Sequence, residues 1–403
     1  GYFLNTTAGT ITINLPAGVA GSIVSLADYA ATWQTNKVTV SPNGSEKIGG
    51  AAASVDLTTE GQSVTLVYVD STQGWVNTMD STSNVRGTNF IVATGGTPSQ
   101  DGDYEIRTFT GPGTFCVSSV SSCAPLNAVD YLVVAGGGGG TNNYPCTGKG
   151  RAGGGAGGVR ASATTYCNAG PSSPRTPTSG PTAVAGITVT ASPYSITIGA
   201  AGAAGSPSCS SVTPGGDSTF CGVTSTGGGK AGSQPSLVGG PGGSGGGAAR
   251  DSGSAGGTGN DPPVSPSQGS NGGSQPAPSG NAAGAGGGGF MVVGSSCTSA
   301  PHPADSPAPG GAGGGFPNAF GTSGQNCGSY YYFGGGGGNG IYQPGGTAGV
   351  GGLGGGGAGG VASCSVGTSG TTNTGGGGGG GGMGATAAGA GGSGIVIIRY
   401  KFQ

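Results

Sequence analysis

The sequence predicts an all-β protein in two parts with essentially no α-helix. A small N-terminal β domain comes first, then a glycine-rich bundle of polyglycine/polyproline II helices closed by β-strands. Three observations carry this. The first stretch alternates apolar and polar residues between turn signals, the mark of short, half-buried strands. Glycine supplies 101 of the 403 residues and proline 26, while charged residues are 6%. That fits neither an average globular chain, with about 25% charge, nor a disordered one, which is normally charge-rich. Finally, two strongly apolar segments, "YLVVAGG" and "GIVIIRY", bracket the glycine-rich region.

Residues 1–78 read as the β domain. "TITINLPAG" alternates with period two and ends in a turn, and "SIVSLADYA" follows. "NKVTVSPNGSEKIGG" carries a strand and an Asn-Gly turn, and "SVTLVYVDSTQGWVNT" sets Val64, Leu66 and Tyr68 on one side. Trp33 and Trp75 belong in its core. A domain of this size has a marginal core by itself, so oligomerisation would help it. Residues 79–135 read as a connector, "MDSTSNVR", followed by the strands "NFIVATGG", "DYEIRTFTGPGTFCVSS" and "VDYLVVAGG", with a turn at "DGD".

Residues 136–392 read as the bundle. Glycine runs at 136–140, 153–158, 239–247, 284–289, 334–338, 354–360 and 375–382 alternate with polar inserts, and strand-like islands survive at 185–200 and 217–223. The spacing reads as runs rather than a fixed period, which excludes collagen. The longest run, Gly375–Gly382, would be a floppy linker in isolation. Packed against sister runs it can order. A polyproline II rod turns every three residues and rises about 3.1 Å per residue with its backbone groups pointing outward. Without Cβ atoms, neighbouring rods can approach and pair those groups. Residues 393–403, "GSGIVIIRYKFQ" from Gly392 onward in the same glycine-rich context, close the domain by pairing with "YLVVAGG".

The net charge of −2 without a basic run argues against nucleic acid. No stretch of 18 apolar residues suggests membrane insertion, and "GYFLNTTAGT" reads as carrying no signal peptide. Nine cysteines, an odd count, leave at least one outside any intramolecular pairing. None forms a C-x-x-C pair and there is one histidine, so zinc is not expected. Cys116 with Cys123, and Cys209 with Cys221, flank polar loops and are candidate staples in an extracellular object; small buried thiols are the alternative.

Enzyme readings fare badly. A nucleophile needs a base within hydrogen-bond reach, and His302 sits with Asp305 in the Pro-rich "APHPADSPAPG", the pattern of an exposed loop. "GKGRAGGGAGG" lacks phosphate-loop spacing, and no D-x-D-x-D loop offers a calcium site. No cofactor and no metal is expected. The insert "NCGSYYYFGG" is the most informative. Tyr330, Tyr331, Tyr332 and Phe333 either cap the open end of the bundle or offer flat, partly polar rings to a sugar or protein receptor. "GGGFMVVGSSC" places Phe290, Met291 and Val292 as a hydrophobic plug. His302 and Tyr342 complete the receptor-contact candidates.

Two parts of the chain resemble known proteins. "GYFLNTTAGTITINLPAG", "GSIVSLADYAATWQTNKVTVSPNGSEKI" and "LTTEGQSVTLVYVDSTQGWV" resemble a β domain of tail fibres from marine and cyanobacterial bacteriophages. "NFIVATGGTPSQDGDYEIRTFTGPGTFCVSS", "VDYLVVAGGGGG" and "GGSGIVIIRY" resemble the glycine-rich domain of phage tail fibres and adhesins. The resemblance covers most of the chain, and the nine cysteines depart from its usual pattern. It implies a homotrimeric virion component outside the cell. Its inserts would bind a host-surface receptor, an outer-membrane protein or glycan, with other tail proteins as partners. The rivals are an extracellular filament or cell-surface layer subunit and, less expected, an ice-binding protein needing a regular array of Ala or Thr.

Overall fold

A computed structural model describes residues 1–81, 90–121, 124–142, 151–162, 167–168, 186–205, 212–249, 253–275, 283–297, 307–342, 345–361, 365–385 and 387–403. The chain divides into two compact units, Gly1–Thr88 and Asn89–Gln403. Among the described residues there is no α-helix, only strands, short 3-10 turns and extended rods. Among these residues no helix is long and apolar enough to cross a membrane.

The first unit is a two-sheet sandwich. Its strands are β1 (Tyr2–Leu4), β2 (Ile11–Asn14), β3 (Ile23–Asp28), β4 (Val38–Ser41), β5 (Val55–Leu57), β6 (Ser63–Asp70) and β7 (Gly74–Ser81). One sheet runs β1-β3-β6-β7 and the other β2-β4-β5. The expected alternation holds: Val64, Leu66 and Tyr68 face a core with Trp33, Val38, Val40 and Trp75. Strand β7 continues to Ser81, so the connector expected from residue 79 begins later than the sequence suggested.

The second unit opens with β8 (Val92–Thr94), β9 (Thr97–Asp101), β10 (Tyr104–Phe109), β11 (Gly113–Ser119) and β12 (Ala128–Val134). Then come β13 (Val159–Ala161), β14 (Cys167–Asn168), β15 (Ile187–Thr188), β16 (Pro193–Thr197), β17 (Ser218–Phe220) and β18 (Val223–Ser225). The last are β19 (Gly314–Pro317), β20 (Gln325–Cys327), β21 (Tyr330–Phe333) and β22 (Ile395–Lys401). The two bracketing segments pair as expected, β12 antiparallel to β22 with Val134 opposite Ile395. "DGD" is the turn joining β9 to β10, with Gly102 at φ +57°. The island at 217–223 is not one strand: it enters the hairpin β17–β18, turning at Cys221 and Gly222 with φ +46° and +78°.

The sheet β13-β12-β22-β10-β9 is covered on both faces. Val129, Tyr131, Val133, Val396 and Ile398 face a core with Phe115 and Phe220 from the sheet β18-β17-β16-β11-β8. Leu132, Val134, Ile395 and Ile397 face the opposite core, with Phe290, Met291, Phe316 and Phe333. A strand buried on both sides reads as an unbroken apolar run, which explains why β12 and β22 carry bulky residues at nearly every position.

The glycine runs form rods in a lattice. Gly137, Gly138 and Gly139 donate in turn to Gly392, Gly155 and Thr213, at 2.9, 2.9 and 3.1 Å, and Gly140 returns to the first neighbour at Gly389. This repeat of three is the polyproline II screw. The carbonyls of Gly136, Gly137 and Gly138 accept from Gly228, Gly202 and Gly378, three further neighbours. The central rod, 375–382, is fully surrounded and buried throughout. It bonds to the rods containing Gly138, Gly154, Gly335, Gly357, Thr368 and Gly389. A Cβ built on Gly378 overlaps the Gly389 carbonyl oxygen and lies 2.6 Å from that of Ala390, so the lattice admits no side chain there.

Two expectations about the rods need correction. The run 239–247 is not a single rod: it doubles back near Pro241, so that Gly246 and Ala249 donate to Gly240 and Leu237. Outer rods also do follow a fixed period. In 199–205 only Gly199, Ala204 and the positions Gly202 and Gly205 lose exposure, with the three glycines buried and Ala200, Ala201 and Ala203 exposed. In 365–371 Gly367 and Gly370 are buried between exposed Val366, Thr368, Ser369 and Thr371. A peripheral rod touches neighbours on one side only, so glycine is required at one position in three.

Candidate functional site

The hydrogen-bond register assigns every rod end to one of two ends of the bundle. At the β end the chain enters and leaves through β12, β13, β18, β19, β21 and β22, or turns tightly, as at 289–292. Phe290 and Met291 are buried in that turn and pack with Phe333, which makes the expected hydrophobic plug. At the far end, Thr141 donates to Ala152, Gly205 to Gly140, and Gly232 to Gly247. There too Ala285 donates to Ala248, Ser295 to Pro309, Ile341 to Gly360, and Gly382 to Ser365. The flanks of the inserts 143–150, 206–211, 276–282, 298–306 and 362–364 therefore all lie at one end.

The far end is braced by side chains where glycine gives out. Thr141 Oγ1 donates to the Gly232 carbonyl at 3.1 Å and accepts from the Ala152 amide at 3.1 Å. Asn142 Nδ2 donates to the Ala385 carbonyl at 3.3 Å. Asn339 Oδ1 accepts from the amides of Ala308 and Gly349, at 2.8 and 3.0 Å, joining three rods. Arg151, completely buried with φ +71°, places its guanidinium 4.7 Å from the centroid of the half-buried Tyr342 ring. A cation over a π-face in a water-poor setting is a favourable pair, and it fixes the first residue of one rod against the last of another.

The predicted receptor-contact residues separate in the structure. Tyr342 stands at the far end. His302 lies outside the described residues, between rods whose flanks, 297 and 307, are at that end. Tyr330, Tyr331, Tyr332 and Phe333 form β21 at the β end, paired with β19 and β20. Phe333 is 1% exposed and Tyr332 6%; the Phe333 ring lies 6.0 Å from that of Phe316, edge on. These two rings are buried at the β core and do not cap the bundle's open end, because rod 334–341 starts, rather than ends, there. Tyr330 and Tyr331 are half-buried on the same strand.

Cys116 is an exposed free thiol on β11, and Cys221 a half-buried one in the β17–β18 turn. Burial raises the Cys221 pKa, away from the thiolate form. Neither is stapled, and the partners expected for them, Cys123 and Cys209, lie outside the described residues. Among the described residues no group of three or more His, Cys, Asp or Glu side chains could hold a metal.

Arg151, Asn142 and Asn339 escaped the sequence reading. Their signal is positional: each is a polar residue interrupting glycine at a rod's end. Seeing that they share an end requires counting every chain reversal, including rods with only one glycine in three.

A layered β core holding one end of a hexagonal glycine lattice defines an all-β, glycine-rich domain. The family model for the glycine-rich domain matches residues 108–401, and the chain belongs to that family. No curated protein matches the chain.

Proposed function

We infer that the protein is a subunit of a bacteriophage tail fibre or tail-tip adhesin. In this reading it is a homotrimeric virion component that attaches the particle to a receptor on a host bacterial surface, an outer-membrane protein or a glycan. The observation that carries the reading is the gathering of the flanks of five polar inserts, 143–150, 206–211, 276–282, 298–306 and 362–364, at the bundle end opposite the β core. A lattice held by backbone bonds is stiff whatever the inserts contain, so loops at its far end are free to differ in sequence and serve recognition. Trimerisation multiplies weak contacts into avidity. The phage resemblance of both units supports the same assignment. No catalysis, cofactor, nucleic acid or membrane insertion enters it, and the remaining partners are other tail proteins.

The test replaces 298–306, which contains His302, with a Gly-Ser linker of equal length, and separately replaces 143–150. Adsorption to host cells is expected to fall at least tenfold in one or both, with particle assembly unchanged. Unchanged adsorption in both contradicts the reading. Mass and symmetry of the purified protein are expected to show a closed trimer; a monomer contradicts that part, and an open helical array favours a filament subunit.

One observation supports a second reading. The outer rods repeat small exposed residues three apart, Ala200 with Ala203 and Thr368 with Thr371, the regular array that adsorption to ice requires. Thermal hysteresis in the purified protein would establish it, and its absence would remove it.

A further inference from the structure

Strand β7 of the N-terminal sandwich carries two polar residues on its core-facing side. Cross-strand partners in a sheet share a face. Asp80 pairs opposite Val64 and Asn77 opposite Leu66, and Val64 and Leu66 are core residues. Both polar side chains therefore stand on the core-facing side of β7, solvent-exposed at its open rim. Three residues apart on a regular strand, they would face opposite ways. A bulge in β7, where the register passes from Thr65–Met79 to Leu66–Asn77, leaves Thr78 as the extra residue and sets both on the same face. Bulges commonly re-aim side chains at functional sites.

They line the rim of a solvent-open cleft of about 320 Å3. Its walls are Val40, Ile48, Val55, Leu57, Val64 and Leu66, and its polar lining is Asp56, Gln62, Asn77 and Asp80. Gln62 is 8% exposed. Its Nε2 donates to Asp80 Oδ1 at 3.1 Å, and its Oε1 is buried without a hydrogen-bond partner. An orphaned buried acceptor is costly and unusual enough to indicate a missing donor. Asp56 is neutralised by Lys37 at 2.7 Å, while Asp80 has no ion pair among the described residues. The site thus combines an aliphatic trough, an unsatisfied acceptor and one uncompensated carboxylate.

We propose that this cavity binds a primary ammonium group carried on an aliphatic stem. The stem lies along the valine, leucine and isoleucine walls, and the ammonium donates to Asp80 and Gln62. A free alkylamine and a lysine side chain of a partner polypeptide share this chemistry. The proposal is independent of the adhesin reading and concerns the other unit of the chain.

Isothermal titration calorimetry of the full chain at neutral pH with n-pentylamine tests it. Saturable binding of one amine per chain is expected, with at least tenfold weaker binding by Asp80→Asn and by Gln62→Leu. 1-Pentanol and D-glucose are the controls, and neither is expected to bind. Nα-acetyl-lysine methylamide distinguishes the sources: tighter binding than pentylamine supports a lysine of a partner, weaker binding a free amine. The proposal is overturned by absence of saturable pentylamine binding, by equal binding of pentanol, by binding of glucose instead, or by undiminished affinity in Gln62→Leu. The last variant replaces an amide with a similar apolar volume and keeps the test open should Asp80→Asn fail to fold.

Discussion

In the N-terminal sandwich, Trp33 and Trp75 are wholly buried among aliphatic side chains. In the bundle, residues 375–382 are buried as completely and carry no side chain at all. The first region removes apolar surface from water and uses its backbone bonds to hold strands in register. The second has little apolar surface to remove, and its order comes from satisfying amides and carbonyls in a packing too close for water. The sandwich can place glycine at an open turn, as at Gly44 with φ +54° and nothing near an added Cβ. The central rod has no room for a Cβ at Gly378. Glycine's flexibility, a liability in an ordinary core, is offset here by how closely the rods can approach.

That contrast can be broken at several points. The largest effect is expected in the sandwich from Trp75→Ala, about 4 kcal/mol by loss of a buried indole and the cavity left behind, read as lost amide protection across residues 1–81. Gly378→Val is expected to cost about 3 kcal/mol or more, since the carbonyls it meets are backbone and cannot rotate away. Gly44→Ala, strained but uncrowded, should cost about 1 kcal/mol. Denaturant unfolding of both variants checks the difference, and comparable losses would erase the distinction between the regions.

Asp28 sharpens the comparison, because here the sandwich also depends on backbone amides. Its buried carboxylate accepts from the amides of Ala30, Thr32, Trp33 and Gly61, at 3.1–3.3 Å. Asp28→Ala leaves those donors without it, at an expected cost of about 2–3 kcal/mol, measurable by chemical denaturation.

Tyr400 gives a pH effect in the β core. Its hydroxyl donates to Glu105 Oε2 at 2.8 Å, beside Arg107, and burial is the main cause that pushes its pKa from 10.0 up to about 12. The folded state holds this proton after the unfolded chain has lost it. The contribution is therefore complete below pH 10 and disappears as pH rises towards about 12. Tyr400→Phe should be slightly less stable at pH 8, by about 1 kcal/mol, and should show a shallower decline in melting temperature between pH 10 and 12. The smallest effect is expected from Ala200→Ser on an exposed rod flank, within about 0.5 kcal/mol.

Much of this was legible in the sequence because strands and turns announce themselves locally. The alternation of Val64, Leu66 and Tyr68 located β6, and the apolar runs at 131–134 and 395–398 identified two strands needing cover on both faces. Glycine runs pointed to rods because nothing else could order them. The outer rods were hidden, since Gly199, Gly202 and Gly205 among alanines look like ordinary low complexity until a neighbour supplies the reason for the period. The same omission misplaced Tyr330–Phe333: which end of a rod an insert occupies depends on the parity of all preceding reversals. The bulge that sets Asn77 and Asp80 on one face is a one-residue shift in pairing, invisible to a pattern read along a single strand.

The central claim is that residues 375–382 are held by lattice hydrogen bonds alone. Each amide from Gly377 to Gly382 donates to a carbonyl of a neighbouring rod, so none should exchange freely. Native-state hydrogen exchange on the peptide covering this rod tests the claim most directly. Protection comparable to that of β22 is the predicted result; exchange at the rate of an unstructured glycine linker would contradict it.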